Sequence, residues 1–187
     1  MSLGRPPFPG GDIHSRLLQD RIVMLGPPLD AEAAAAVVGQ LLLLEARKPG
    51  KDIGLYVNSA GGPLDAALGV YDVMQSIDSD VCTLCTGQAA GTAAMLLAAG
   101  APGKRMALAH ARIVLQQPSS GPIEGRASQV AVLAHELLRG RDRLIEILSQ
   151  HCGRHREQVE GELEREYHMT PEQAVAWGVI DGIAGRN

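Results

Sequence analysis

Short apolar runs alternate with longer stretches of helical periodicity along most of this chain. Ile22 to Leu25 lies between Arg21 and Gly26-Pro27-Pro28 and reads as a buried strand. Asp30 is placed to cap a helix, and Ala, Val and Leu dominate from Ala31 to Arg47, before Pro49-Gly50 ends it. Ile53 to Val57 is the next strand. Asn58-Ser59-Ala60-Gly61-Gly62-Pro63 makes a turn, and Pro63 suits the first turn of a helix carrying Leu64, Leu68, Tyr71 and Met74 to about Ser76. A third strand, Val81 to Cys85, runs into Thr86-Gly87-Gln88-Ala89-Ala90-Gly91, and an Ala/Leu-rich helix leaves that turn toward Gly100. Lys104 to Leu108 and Ile113 to Leu115 read as two more strands. A long helix follows from about Arg126 to His151, with an apolar stripe of Val130, Leu133, Leu137, Leu144, Ile147 and Leu148. Gly140 in its middle marks either a bend or a close contact, since glycine there costs about 1 kcal/mol against alanine. A charged helix spans roughly Arg154 to Arg165. Thr170 and Gln173 then form a capping box for a last helix that Gly178 ends. Asp12 to Leu18 suits a short helix at the other end.

Strands alternating with helices imply parallel pairing and an α/β architecture. At 187 residues the chain fits one domain with a real core. The Pro/Gly-rich residues 1–11 are expected to be a flexible N-terminal segment, with residues 12–187 as the domain. That opening has no apolar core of a signal peptide, and no run of about eighteen apolar residues occurs. A cytoplasmic protein with no membrane partner is the resulting expectation. The formal net charge is -4 and aromatics are 3%, which disfavours nucleic acid, whose phosphates call for a basic stripe and whose bases call for stacking platforms. Three cysteines do not make a disulfide framework. Cys82 and Cys85 form a C-x-x-C, but three residues apart on a strand they face opposite ways. The histidines (His14, His110, His135, His151, His155, His168) lack metal-ligand spacing, and His151, Cys152 and His155 are expected to cap and pack rather than to hold a metal. No metal and no cofactor are expected.

The chemistry-bearing stretch is Thr86 to Gly100. A strand, a sharp turn and a helix form the geometry that pushes a nucleophile into a cleft. Here the tip of the turn is Gly91, which has no side chain. Thr92 is next in line, yet one residue into a helix its side chain points about 100° away, and no base accompanies it.

Several ordered pieces resemble the proteolytic subunit of the Clp protease (ClpP). Asp12-Ile13-His14-Ser15-Arg16-Leu17-Leu18 and Asp20-Arg21-Ile22 are similar to its entry segment. Leu55-Tyr56-Val57-Asn58-Ser59-Ala60-Gly61-Gly62 is similar to its oxyanion strand and turn. Gly87-Gln88-Ala89-Ala90 and Leu96-Leu97-Ala98-Ala99-Gly100 flank its nucleophile turn, Gln117-Pro118 follows its histidine, and Met169 to Asp181 resembles its closing helix and strand. The resemblance covers about residue 12 to the end. It implies a ClpP/crotonase-like fold of repeated ββα units with a long handle helix. It also implies assembly as two stacked seven-membered rings, served by AAA+ unfoldases.

The catalytic positions all depart from that family's pattern. Its serine falls at Gly91, its histidine at Gln116 and its aspartate at Glu166. Glycine offers no nucleophile, and a glutamine amide cannot take a proton near neutral pH. Loss of serine or histidine from such a triad costs about 10⁶ in turnover, so the resemblance is to a triad-lacking, ClpR-type member with no expected peptidase activity. The backbone N–H groups of Gly62 and Thr92 stand at the family's oxyanion positions, which need no particular side chain. The glycines there also serve simply to close the turn. Gly54 and Ser76 replace aromatic residues of the unfoldase-docking pocket, while Tyr56 is retained, so docking of an unfoldase is expected to be weakened or indirect. Ser119 to Gly125 corresponds to the flexible handle that joins rings, with Arg126 in place of a glutamine.

Three functional expectations follow. The preferred one is an inactive subunit that joins heptameric or tetradecameric rings, mixed with an active ClpP paralogue, and modulates ATP-dependent proteolysis. The second is a crotonase-like enzyme reusing the oxyanion hole for acyl thioesters, with Gln116 and Glu166 in new roles, although Lys104 and Arg112 make no obvious coenzyme-A phosphate cluster. The third is a homo-oligomeric scaffold or decoy.

Overall fold

The computed structural model describes residues 13–26, 28–118 and 125–185. Residues 1–11 and most of the Ser119 to Gly125 segment, for which a flexible tail and a handle were expected, lie outside the described residues. The elements in order are α1 (Ile13–Gln19), β1 (Ile22–Leu25), α2 (Ala31–Arg47), β2 (Ile53–Ser59), α3 (Leu64–Ser76), β3 (Val81–Ala90) and α4 (Thr92–Ala98). Then come β4 (Arg105–Leu108), β5 (Arg112–Leu115), α5 (Ala127–Cys152), α6 (Arg156–Glu164), β6 (Tyr167–Met169), α7 (Pro171–Trp177) and β7 (Gly182–Ala184). Five strands run parallel in the order β1-β2-β3-β4-β7. The far end of β3 instead pairs with β5, which continues the sheet antiparallel into β6. The α/β expectation holds, with this one antiparallel pair as the exception to parallel order.

Local chemistry sets the element ends. The Asp30 carboxylate accepts the Ala33 N–H at 2.8 Å and so caps α2. Thr170 and Gln173 cap one another's backbone at α7, as the capping box predicts. Two strands are longer than their composition suggests. β2 continues through Asn58 to Ser59. β3 continues through Thr86-Gly87-Gln88 to Ala90, because pairing with Arg112 to Val114 holds this small-residue stretch extended. The sharp turn is therefore confined to Gly91. β6 was not anticipated, and its pairing with β5 creates it.

One face of the sheet is packed. Leu25, Leu55, Val57, Cys85 and Ala107 are fully or almost fully buried and meet the helical layer. α4 is buried at every residue, as a helix apolar all round must be. The two cysteines of the C-x-x-C do face opposite ways: Cys85 lies in the core, and Cys82 lies on the other face of the sheet. Burial pushes both thiols up to about 11 and Cys152 to about 12, which leaves them protonated and unreactive near neutral pH. His151 packs edge-on against Tyr71 and shares a hydrogen bond with its hydroxyl at 3.1 Å, as a packing residue.

The stripe on α5 splits in two. Leu144, Ile145, Ile147 and Leu148 are buried, but Leu133 is 49% exposed and Val132 and Leu138 still more. The first half of α5 thus projects beyond the core. Gly140 resolves as a close contact: a Cβ there would sit 2.8 Å from Leu64 Cδ2 at the start of α3.

Arg105 closes the far end of the core. Its Nη1 donates to the carbonyls of Ala98, His151 and Gly178 at 3.2, 2.8 and 3.0 Å, and its Nε and Nη2 hold both Asp181 oxygens. The guanidinium holds the Asp181 carboxyl below its ordinary 3.8. A carboxyl lowered in the folded state adds stability above the unfolded value and loses it as pH falls through the folded one. Replacing Arg105 with Ala strands a carboxylate and three carbonyls, so urea unfolding should show a loss of about 3–5 kcal/mol at pH 7. The variant's stability should also fall less steeply than the parent's below about pH 4.

Candidate functional site

The site forms where the turn after β2, the turn after β3 and the end of β5 converge. Gly91 has φ 54° and ψ -120°, a strained strand-to-helix elbow that lifts any side chain at this position out of the sheet. Its N–H donates to the Val114 carbonyl at 3.0 Å, which ties the elbow to β5. A Cβ built on Gly91 would lie 3.1 Å from Gln116 Nε2 and 3.2 Å from its Cγ. The two positions singled out in the sequence are therefore neighbours, and the glutamine side chain stands over the vacancy left by the glycine.

Glu166 immediately precedes β6. In the antiparallel register Leu115 faces Tyr167, so one step further places Gln116 beside Glu166. Its φ of 52° is unusual for a non-glycine residue, and its side chain points to the exposed surface. Gly91, Gln116 and Glu166 thus lie near one corner of the molecule; Gly91 carries no side chain, and neither Gln116 nor Glu166 supplies an imidazole.

Gly62 and Thr92 are also adjacent. The Gly62 N–H donates to Thr92 Oγ1 at 2.9 Å, and that hydroxyl donates back to the Gly62 carbonyl at 3.2 Å. The turn needs glycine on steric grounds, because a Cβ at Gly62 would lie 2.0 Å from the Leu29 carbonyl oxygen. Gly61, at φ 86°, would place a Cβ 2.6 Å from the Ala90 carbonyl oxygen. Ser59 Oγ accepts the Gly61 N–H at 3.1 Å and shapes the same turn.

Sequence reasoning missed the polar rim beside this corner. Asn58 Oδ1 accepts the Gln88 N–H at 3.1 Å, and Gln88 Oε1 accepts from Arg112 Nη2 at 2.6 Å. The register of β3 with β5 makes this chain of contacts, and local sequence carries no signal of it. Arg112 and Lys104 do not converge. Lys104 is bound to Asp52 and Asp80 at 2.7 and 2.9 Å. The strand register separates the two cations by five to six residues along β3, about 16–20 Å. Among the described residues no group of His, Cys, Asp or Glu is arranged to hold a metal.

Of the positions that the resemblance assigns to unfoldase docking, Gly54 and Tyr56 lie on the less buried face of β2, and Ser76 lies on α3. The Tyr56 ring leans over Gly54, 3.3 Å from where a Cβ would be. Ser76 ends α3, exposed, with its hydroxyl donating to the Val73 carbonyl. Register puts Met24, Tyr56, Leu84 and Met106 side by side across β1 to β4, all half-buried. No helix of the described residues is long and apolar enough to cross a membrane.

The elbow predicts opposite responses at two glycines. Gly91→Ala forces an L residue into a strained backbone against Gln116, and its denaturation midpoint should report a loss of about 1–3 kcal/mol. Gly39 lies in α2 with open space around it, so Gly39→Ala should stabilise the fold by about 0.5–1 kcal/mol.

The geometry agrees with a comparison against protein families. The family model described as Clp protease matches residues 10–187, almost the whole chain. A match of that extent shows that this chain belongs to the Clp protease family.

Proposed function

We propose that this chain is a ClpR-type subunit: a catalytically inactive member that assembles into Clp-type rings and modulates proteolysis by active subunits. The observation that carries the reading is the corner itself. The elbow keeps a nucleophile's backbone at Gly91 while offering no nucleophile, and Gln116 fills the position of the base. A frame kept without its reacting groups fits a role in assembly better than a role in hydrolysis.

Two surfaces support assembly. Parallel sheets are normally covered on both faces, yet the Met24, Tyr56, Leu84 and Met106 row is only half-buried among the described residues. The first half of α5 exposes Val132, Leu133 and Leu138, which no described residue buries. A neighbouring subunit of the same family would cover both. Gly54 and Ser76 leave Tyr56 as the lone aromatic at the docking positions, so an unfoldase would engage a ring chiefly through its active subunits. The acyl-thioester alternative gains no support, because Lys104 is engaged by two carboxylates and lies far from Arg112.

Native mass spectrometry of the chain, alone and mixed with an active Clp proteolytic subunit, tests the proposal. Mixed rings are expected, the isolated chain should leave a fluorogenic peptide uncleaved, and peptide hydrolysis by the active subunit should change on mixing. A homo-oligomer that ignores the active subunit, or cleavage by the isolated chain, would overturn it.

A further inference from the structure

Loss of the triad explains why the cleft performs no acyl transfer, but it does not close the cleft to a peptide. An intact pair of oxyanion amides would still donate to a substrate carbonyl. We infer that Thr92 blocks one of the two: its hydroxyl occupies the Gly62 N–H from within and weakens the cleft's hold on a peptide carbonyl or carboxylate. This inference rests on reading Gly62 as the oxyanion position.

The geometry is specific. A hydroxyl carries one donor and accepts through its lone pairs. Thr92 Oγ1 accepts the Gly62 N–H at 2.9 Å and donates to the Gly62 carbonyl at 3.2 Å, so one side chain satisfies both backbone groups of one glycine. Thr92 is 3% exposed, so its hydroxyl does not turn freely into solvent. The surrounding backbone leaves little slack. A Cβ at Gly61 would lie 2.9 Å from Thr92 Oγ1, and one at Gly62 would overlap Leu29. On the other side of the elbow, the Gln116 amide fills the space above Gly91. A peptide that used the Gly62 N–H would have to displace its internal hydrogen bond to Thr92, and one that reached over Gly91 would have to displace the Gln116 side chain.

Thr92→Val removes the hydroxyl and keeps the shape, while Thr92→Ser keeps the hydroxyl and controls for packing. Two readouts are made on the full chain, with melting temperatures compared to establish that each variant is folded. The first is amide hydrogen exchange at Gly62, resolved by NMR. The second is binding of a capped tetrapeptide with a free C-terminal carboxylate, N-acetyl-Ala-Ala-Ala-Leu, followed by calorimetry. In Thr92→Val, Gly62 should exchange at least tenfold faster and the peptide should bind at least tenfold more tightly than in the parent; Thr92→Ser should match the parent in both. Unchanged Gly62 exchange in Thr92→Val would overturn the inference, and so would equal peptide affinity in Thr92→Val and the parent, whether measurable or nil. Neither readout depends on ring assembly, so failure here and failure of the proposed subunit role are separable.

Discussion

Three helices end on one guanidinium. Arg105 donates to Ala98 at the end of α4, to His151 in the last turn of α5 and to Gly178 just past α7, while Asp181 holds its other edge. The last carbonyls of a helix have no partner within it, and their combined dipole favours a cation. A single buried arginine meets that need for three helices at once and fixes their relative positions. α4 carries the elbow at its other end, and α7 follows directly from β6, so the corner that holds Gly91, Gln116 and Glu166 inherits its geometry from this clamp. A second arginine does similar work ahead of β1, at the same end of the strands: Arg21 donates to the carbonyls of Leu44, Lys51 and Asp52. Arg21 makes these contacts to carbonyls, which need no second charge to be desolvated.

Local signals in the sequence were strong where the chemistry is local. The ends of α2 follow from Asp30 and Pro49-Gly50, and those of α7 from Thr170, Gln173 and Gly178. The register-dependent features were not legible. Thr86-Gly87-Gln88 has the composition of a turn, and only its pairing with β5, more than twenty residues away, makes it strand. β6 is three residues long and exists through the same sheet. The α5 stripe was readable as an apolar face, but its first half is largely exposed among the described residues, because periodicity records that a face is apolar and not what covers it.

The corner itself divides the same way. Its three positions were readable from the spacing of motifs, since the family pattern is carried by short fixed intervals. The contacts that decide what the corner can do were not. Gln116 over Gly91 joins two strand ends, and Thr92 on Gly62 joins two turns thirty residues apart. In sequence, the Thr92 side chain stood out only as a candidate nucleophile. In the folded chain its hydroxyl is bound to backbone and is unavailable for attack.

The elbow also makes substitution at this position directional. A serine at the φ of 54° that Gly91 adopts would carry backbone strain of about 1–3 kcal/mol. Glycine removes that strain in one substitution. Return to a side-chain-bearing residue would restore it, and would do so against a glutamine now settled in the space. The position therefore acts as a ratchet in folding free energy: a change to glycine here runs downhill, and its reversal runs uphill.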